Sequence, residues 1–263
     1  FRRTGIAFHQ VSGMLRNDPH VLREVGEWVE AARVAHLMRY NRMACIGNYY
    51  SGMLDIYTDL TLHYATFGGH MEVMGIEVLS ALRKEVREDE IGRKLEEFRD
   101  AFDIQPDCHA DDLREAAITS VALDSLVERY KLGSIAYYHR GDGNAENEVT
   151  IHSIILGNSL LTARGIPVAG EYEVKNAQAM KIMDGFGAGG SFTEYYAMDH
   201  TDDVVLMGHD GPGHIAIAQG KTKVRPLRVY HGKVGRGVSV EMAVRHGPVT
   251  LLSVLEQSGG KLA

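Results

Sequence analysis

Apolar positions recur at helical spacing over residues 18–41 (DPHVLREVGEWVEAARVAHLMRYN), where Leu22, Val25, Val29, Ala32 and Ala35 form one stripe. Asp18 followed by Pro19 predicts the start of that helix, because aspartate caps open backbone amides and proline suits the first helical position. The pattern then shortens. RMACIG is a brief apolar run closed by Gly47, so a strand and a loop are expected, followed by a helix over Leu60–Phe67 and a strand at HMEVMGI. Strand, loop, helix and strand in that order predict a parallel α/β sheet. Residues 77–103 and 110–131 carry amphipathic helical patterns, and the charge run in the first is a solvated face. LGSIAYYHRG reads as a strand, IHSIILGNSLLTARGIP as a helix closed by Gly165, and a further helix is expected from about residue 172.

From about residue 187 the pattern changes to short apolar runs separated by glycine turns: GAGGSFTEYYAMD, DDVVLMGHDG, HIAIA, VRPLRVYHG, GVSVEMAVRHG and VTLLSVLEQ. These predict an antiparallel β region, barrel or sandwich. The expected fold class is therefore α/β, with a parallel, Rossmann-like part followed by an antiparallel β-rich part. Residues 1–41 are expected to close a preceding α/β domain, 42–188 to form the central α/β domain, and 189–263 the β domain.

Composition narrows the partners. With 44% hydrophobic and 24% charged residues, the 263-residue chain has an ordinary globular balance. A net charge of −7 leaves no basic footprint for nucleic acid. No long uncharged apolar run and no signal-peptide pattern is present, so no membrane partner is expected and the expected location is cytoplasmic. Cys45 and Cys108 give no disulfide framework. The chain opens at Phe1 in a segment that reads like the middle of a fold and stops at SGGKLA, so it is expected to be a piece of a longer protein.

There is no phosphate-binding loop, CxxC, HExxH or GxSxG; GFGAGG (185–190) lies between a helix and a strand and reads as a turn. The remaining chemistry sits at the ends of apolar elements. Glu171 follows Gly170 at a predicted helix start, where a carboxylate complements the helix dipole. Glu194 interrupts a predicted strand, where alternation puts it on the same face as Phe192, opposite Tyr195. His209 ends the run VVLMG. Each has an ordinary structural explanation; together, two carboxylates and a histidine suit a divalent cation. Lys175 is expected to pair with Glu171, and Glu173 to face solvent. Met53 and Tyr138 lie at predicted strand ends, where open α/β sheets bind ligands. His200 and Asp210 are expected to support the ligands from behind, and His214 belongs to the glycine turn.

GEYEVKNAQAMKIM (170–183), GGSFTEYYAMD (189–199) and VVLMGH (204–209) together resemble the metal-site region of the L-arabinose isomerases. FRRTGIAFHQVSG, the helix around Trp28 and GNYYSGMLDIYTD fit the same layout, so the resemblance spans essentially the whole chain. It implies an aldose–ketose isomerase of carbohydrate metabolism, acting on a small-molecule sugar, a pentose or deoxyhexose such as L-arabinose, through an enediol. It further implies Mn2+ or another divalent cation held by Glu171, Glu194 and His209, with Glu171 and Glu194 as the catalytic acid/base pair. A homo-oligomer, trimer or hexamer, is implied, as is an α/β domain preceding Phe1. The family's fourth ligand is a second, downstream histidine; His214, His231 and His246 lack its context, so it is expected beyond Ala263. The loop NYYSGML stands where the family usually reads D-N-M-R, which alters the sugar-facing wall. Enzymes similar to L-fucose isomerase share the architecture. The alternative is a catalytically inactive sugar-binding or regulatory relative with the same fold.

Overall fold

A computed structural model describes residues 2–230, 233–234 and 236–263. In chain order its elements are α1 (Pro19–Tyr40), β1 (Arg42–Gly47), α2 (Leu60–Phe67), β2 (His70–Met74), α3 (Ile76–Arg83), α4 (Glu88–Ala101), β3 (Phe102–Ile104) and α5 (Ala110–Tyr130). They continue with β4 (Ser134–Tyr138), α6 (Ala145–His152), α7 (Ile155–Ala163), β5 (Val168–Ala169), α8 (Val174–Gly185), β6 (Glu194–Asp199) and β7 (Val204–Gly208). The last strands are β8 (Thr222–Pro226), β9 (Val229–Tyr230), β10 (Lys233–Val234), β11 (Val238–Glu241), β12 (Glu256–Gln257) and β13 (Lys261–Leu262).

The molecule is mixed α/β. Strands β2, β1, β4 and β5 form a parallel four-stranded sheet in that order. Both of its faces are covered, which is why β1 and β4 read as unbroken apolar runs rather than alternating ones. Ala44, Ile46, Ile135, Tyr137 and Val168 pack towards α3, α5 and α7. The intervening Met43, Cys45, Ala136, Tyr138 and Ala169 pack towards α8 and Phe192. A third apolar cluster joins α4 and α5 to β8 and β11 around Phe98 and Phe102. Chain order reverses between the neighbours β1 and β4, so the loops leaving their carboxyl ends flank the crevice where such sheets take ligands.

Antiparallel pairs follow residue 188, as expected: β6 with β7, β8 with β11, β9 with β10 and β12 with β13. In addition β3 pairs in parallel with β8, so residues 102–104 share a sheet with 222–224. Among the described residues, no helix is long and apolar enough to cross a membrane.

Several elements differ from expectation. Asp18 does cap α1, accepting from the His20 and Val21 amides, but Leu22, Val25 and Val29 stay exposed. That helix docks through Val34, whose side chain lies 3.2 Å from where a methyl on Gly185 of α8 would sit. The expected helix over 77–103 is two helices and a strand: Glu90 accepts from the Arg87 amide at 3.0 Å, and three acidic residues start α4 afresh. HIAIA is a 3-10 turn, and Val249, Leu251, Leu252 and Leu255 of VTLLSVLEQ are exposed outside any strand.

Candidate functional site

At the carboxyl end of β5 the chain turns sharply into α8. Glu171 and Tyr172 both adopt left-handed backbone conformations, with φ of 58° and 64°. Side-chain-bearing residues rarely do so, at a cost of order 1 kcal/mol each. The turn is held by Tyr172 N–H donating to the Tyr137 carbonyl at 2.9 Å and Glu173 N–H donating to Gly170 at 2.9 Å. Helix α8 therefore starts at Val174, with Glu173 as its cap accepting from the Lys175 amide at 3.1 Å. Glu171 stands before the helix, so dipole complementarity in a first turn does not explain it.

The surroundings of Glu171 are costly for a charge. Its Oε2 is buried and has no hydrogen-bond partner. Burial, then the charges of Glu194, Glu173 and Asp55, push the carboxyl up to about 7. Glu194 opens β6, half-buried, opposite Gly208 in β7. Burial raises its pKa, while a hydrogen bond from the Tyr196 hydroxyl opposes the rise. Tyr196 is the extra residue of a β-bulge between Tyr195 and Ala197.

His209 follows Gly208, the cross-strand partner of Glu194. Its ring meets the Phe192 ring edge to face, centroids 4.1 Å apart. Two glycines make room for it: a methyl on Gly211 would lie 2.8 Å from its Cε1, and one on Gly170 3.3 Å away. The His209 ring thus packs on the residue that precedes Glu171. Glu171, Glu194 and His209 share one neighbourhood through these contacts. Among the described residues, however, their donor atoms do not all lie within 4.8 Å of one another; those of His139, Asp142 and Glu148 do.

The other expected residues divide. Tyr138 is buried at the end of β4, its ring 5.0 Å from Tyr50, and Met53 is half-buried, donating to the Tyr50 carbonyl at 3.2 Å. Glu173 is buried rather than solvent-facing, and burial pushes its carboxyl up to about 7 against the opposing charge of Lys175. Lys175 lies 3.7 Å from Glu173 and donates to the Asp55 carbonyl, so its charge partner is Glu173 and not Glu171. His200 is exposed at the far turn of the β6–β7 hairpin, while Asp210 stands beside Tyr196. His214 is buried, its Nδ1 without a partner, and burial pulls its pKa down. His246 is exposed, and His231 lies outside the described residues.

One feature escaped the sequence reading. Tyr49 stacks on Tyr57 at 4.4 Å and meets Tyr172 edge-on at 4.7 Å, so tyrosines from the loop after β1 wall the turn carrying Glu171. The signal was the tyrosine density of NYYSGMLDIYTD, which reads as loop composition until the β1 and β5 ends are brought together.

The donor chemistry fits a divalent cation. A buried carboxylate oxygen lacking any donor, beside a second carboxylate, is an arrangement that positive charge would relieve. The sequence matches no family profile. It is 24% identical over 268 residues to an L-arabinose isomerase of Nocardioides sp. (strain ATCC BAA-499 / JS614), an alignment covering 97% of this chain and 52% of that protein. The relationship is distant. The chain spans about half the length of that curated relative.

Proposed function

We propose that this chain carries the acid/base part of a sugar isomerase that interconverts an aldose and its 2-ketose, a pentose or 6-deoxyhexose, with a divalent cation such as Mn2+. The observation that carries the reading is the Glu171 carboxyl, unpartnered at Oε2, raised to about 7 by burial and coupled to Glu194. The distant similarity to an L-arabinose isomerase along nearly the whole chain supports the same chemistry.

Glu171, Glu194 and His209 would hold the cation, whose part is to polarise the two sugar oxygens and stabilise negative charge on the enediol. The protein groups do the rest. Burial raises the Glu171 carboxyl to about 7 in the metal-free site, and a bound cation would favour its charged, proton-accepting form. In the aldose-to-ketose direction one glutamate takes the C2 proton, giving the enediol. That carboxyl exchanges its proton with solvent and then protonates C1, while the other carboxyl moves the hydroxyl proton between O2 and O1. Phe192 and the packed glycines fix the His209 ring, so its orientation is set before substrate arrives. The tyrosine wall would offer flat apolar surface to the C–H face of a sugar.

The test is turnover. With Mn2+ the protein should interconvert an aldopentose or 6-deoxyaldohexose with its ketose, and Glu171→Gln or Glu194→Gln should each lower kcat by about 10^2–10^4 with the circular dichroism spectrum retained. Turnover unaffected by either substitution removes the reading. Cation binding without turnover of any such sugar favours the inactive sugar-binding alternative.

A further inference from the structure

The loop leaving β4 carries a second set of metal-type donors that the isomerase chemistry does not use. His139 follows β4 directly, Asp142 lies three residues on, and Glu148 projects from α6. One donor atom from each lies within 4.8 Å of the others. Ligands sharing an ion at about 2.0–2.2 Å sit roughly 3–4 Å apart, so little contraction is needed. His139 Nε2 and Asp142 Oδ1, 3.7 Å apart, already match.

Acidic groups near one another are common at surfaces, and the decisive feature is the histidine. His139 is only 9% exposed, and its Nε2 is buried with no hydrogen-bond partner. A buried imidazole nitrogen normally finds a donor or acceptor; this one faces a carboxylate too far away for a hydrogen bond. Asp142 is locked in place: the Asn144 amide donates to Oδ1 at 2.8 Å and Asn147 Nδ2 to Oδ2 at 2.9 Å. Glu148 closes the third side by lying against Gly141, whose φ of 98° and missing side chain leave room for the carboxylate.

We infer that His139, Asp142 and Glu148 form a second divalent-cation site, at the mouth of the crevice between β1 and β4. One imidazole and two carboxylates select a first-row transition ion over Mg2+ or Ca2+, which prefer oxygen alone. Three protein ligands leave positions for water or a sugar hydroxyl. Its three ligands are distinct from Glu171, Glu194 and His209, and it does not depend on the isomerase reading.

Metal-stripped protein is titrated with Co2+ by equilibrium dialysis, with the visible spectrum recorded alongside. The wild type is expected to bind one equivalent that Glu148→Gln and His139→Gln each weaken by at least about tenfold and that Glu194→Gln leaves intact. Ligand-field bands of that equivalent should shift in His139→Gln. If His139→Gln does not fold, Glu148→Gln decides, since that carboxylate is half-exposed. Unchanged stoichiometry, affinity and spectrum in the His139 and Glu148 variants overturn the proposal and leave His139 and Asp142 as neighbours that hold no ion. The absence of any further equivalent sensitive to Glu194→Gln would sink the isomerase site and spare this one.

Discussion

Replacing Glu171 by glutamine should make the metal-free protein more stable at pH 8 and have a much smaller effect at pH 5. The native carboxyl titrates near 7 against an ordinary 4.5, because burial and the Glu194 charge disfavour its ionised form. A carboxyl raised in this way gives the folded state full stability below 4.5, and that stability is lost as pH climbs through about 7. At full weight the interval corresponds to about 3 kcal/mol. Solvent reaches part of the group, so about 1–2 kcal/mol remains. Glutamine keeps the shape and never ionises. Urea unfolding in chelator-treated buffer measures the difference at both pH values. His63, which burial pulls down to about 4, slopes the opposite way with pH, but it is common to both proteins and cancels. The outcome that refutes the reasoning is a Glu171→Gln stability difference that does not grow between pH 5 and pH 8. Adding Mn2+ should then reverse the order at pH 8, stabilising the wild type and not the variant.

Other consequences follow from the same geometry. Gly211→Ala puts a methyl 2.8 Å from His209 Cε1 and must displace the ring; calorimetry should show Mn2+ affinity down by about 10–100-fold, and unchanged affinity would mean His209 is not a ligand. Tyr196→Phe removes the hydroxyl that opposes the raised Glu194 pKa, so the acidic limb of the kcat profile should move to higher pH; a limb that stays or moves lower speaks against Glu194 as an acid/base group. Phe98→Ala empties the fully buried centre of the α4–α5 cluster and should cost about 3–5 kcal/mol by denaturant unfolding, with Mn2+ affinity retained; a coupled loss of affinity would show that this distant cluster supports the site.

The parallel sheet was legible because β1 and β4 are buried on both faces and their apolar runs are continuous. The start of α1 was legible for a local reason, Asp18 beside Pro19. The exposed stripe on α1 and the exposed run after residue 248 were not, since periodicity reports amphipathicity and says nothing of which surface covers it. Glu171 stood out by its setting after Gly170, yet its left-handed conformation and the start of α8 at Val174 are set by hydrogen bonds to Tyr137 and Gly170 that no local pattern encodes. Glu173 shows the same limit. Charge and position suggested solvent, whereas Glu173 is buried beside Lys175, which also donates to the Asp55 carbonyl. His139 was passed over because its partners, Asp142 and Glu148, read as loop and helix-start residues until the turn at Gly141 folds them together.

The most direct test is solvent-hydrogen exchange during turnover. The protein is incubated with Mn2+ and L-arabinose, or a 6-deoxyaldohexose, in D2O, and C1 and C2 are followed by NMR. Proton transfer through the Glu171 and Glu194 carboxyls predicts a ketose carrying deuterium at C1, with both product and label abolished in Glu171→Gln. Ketose formed without any deuterium at C1, or label persisting in Glu171→Gln, would contradict it.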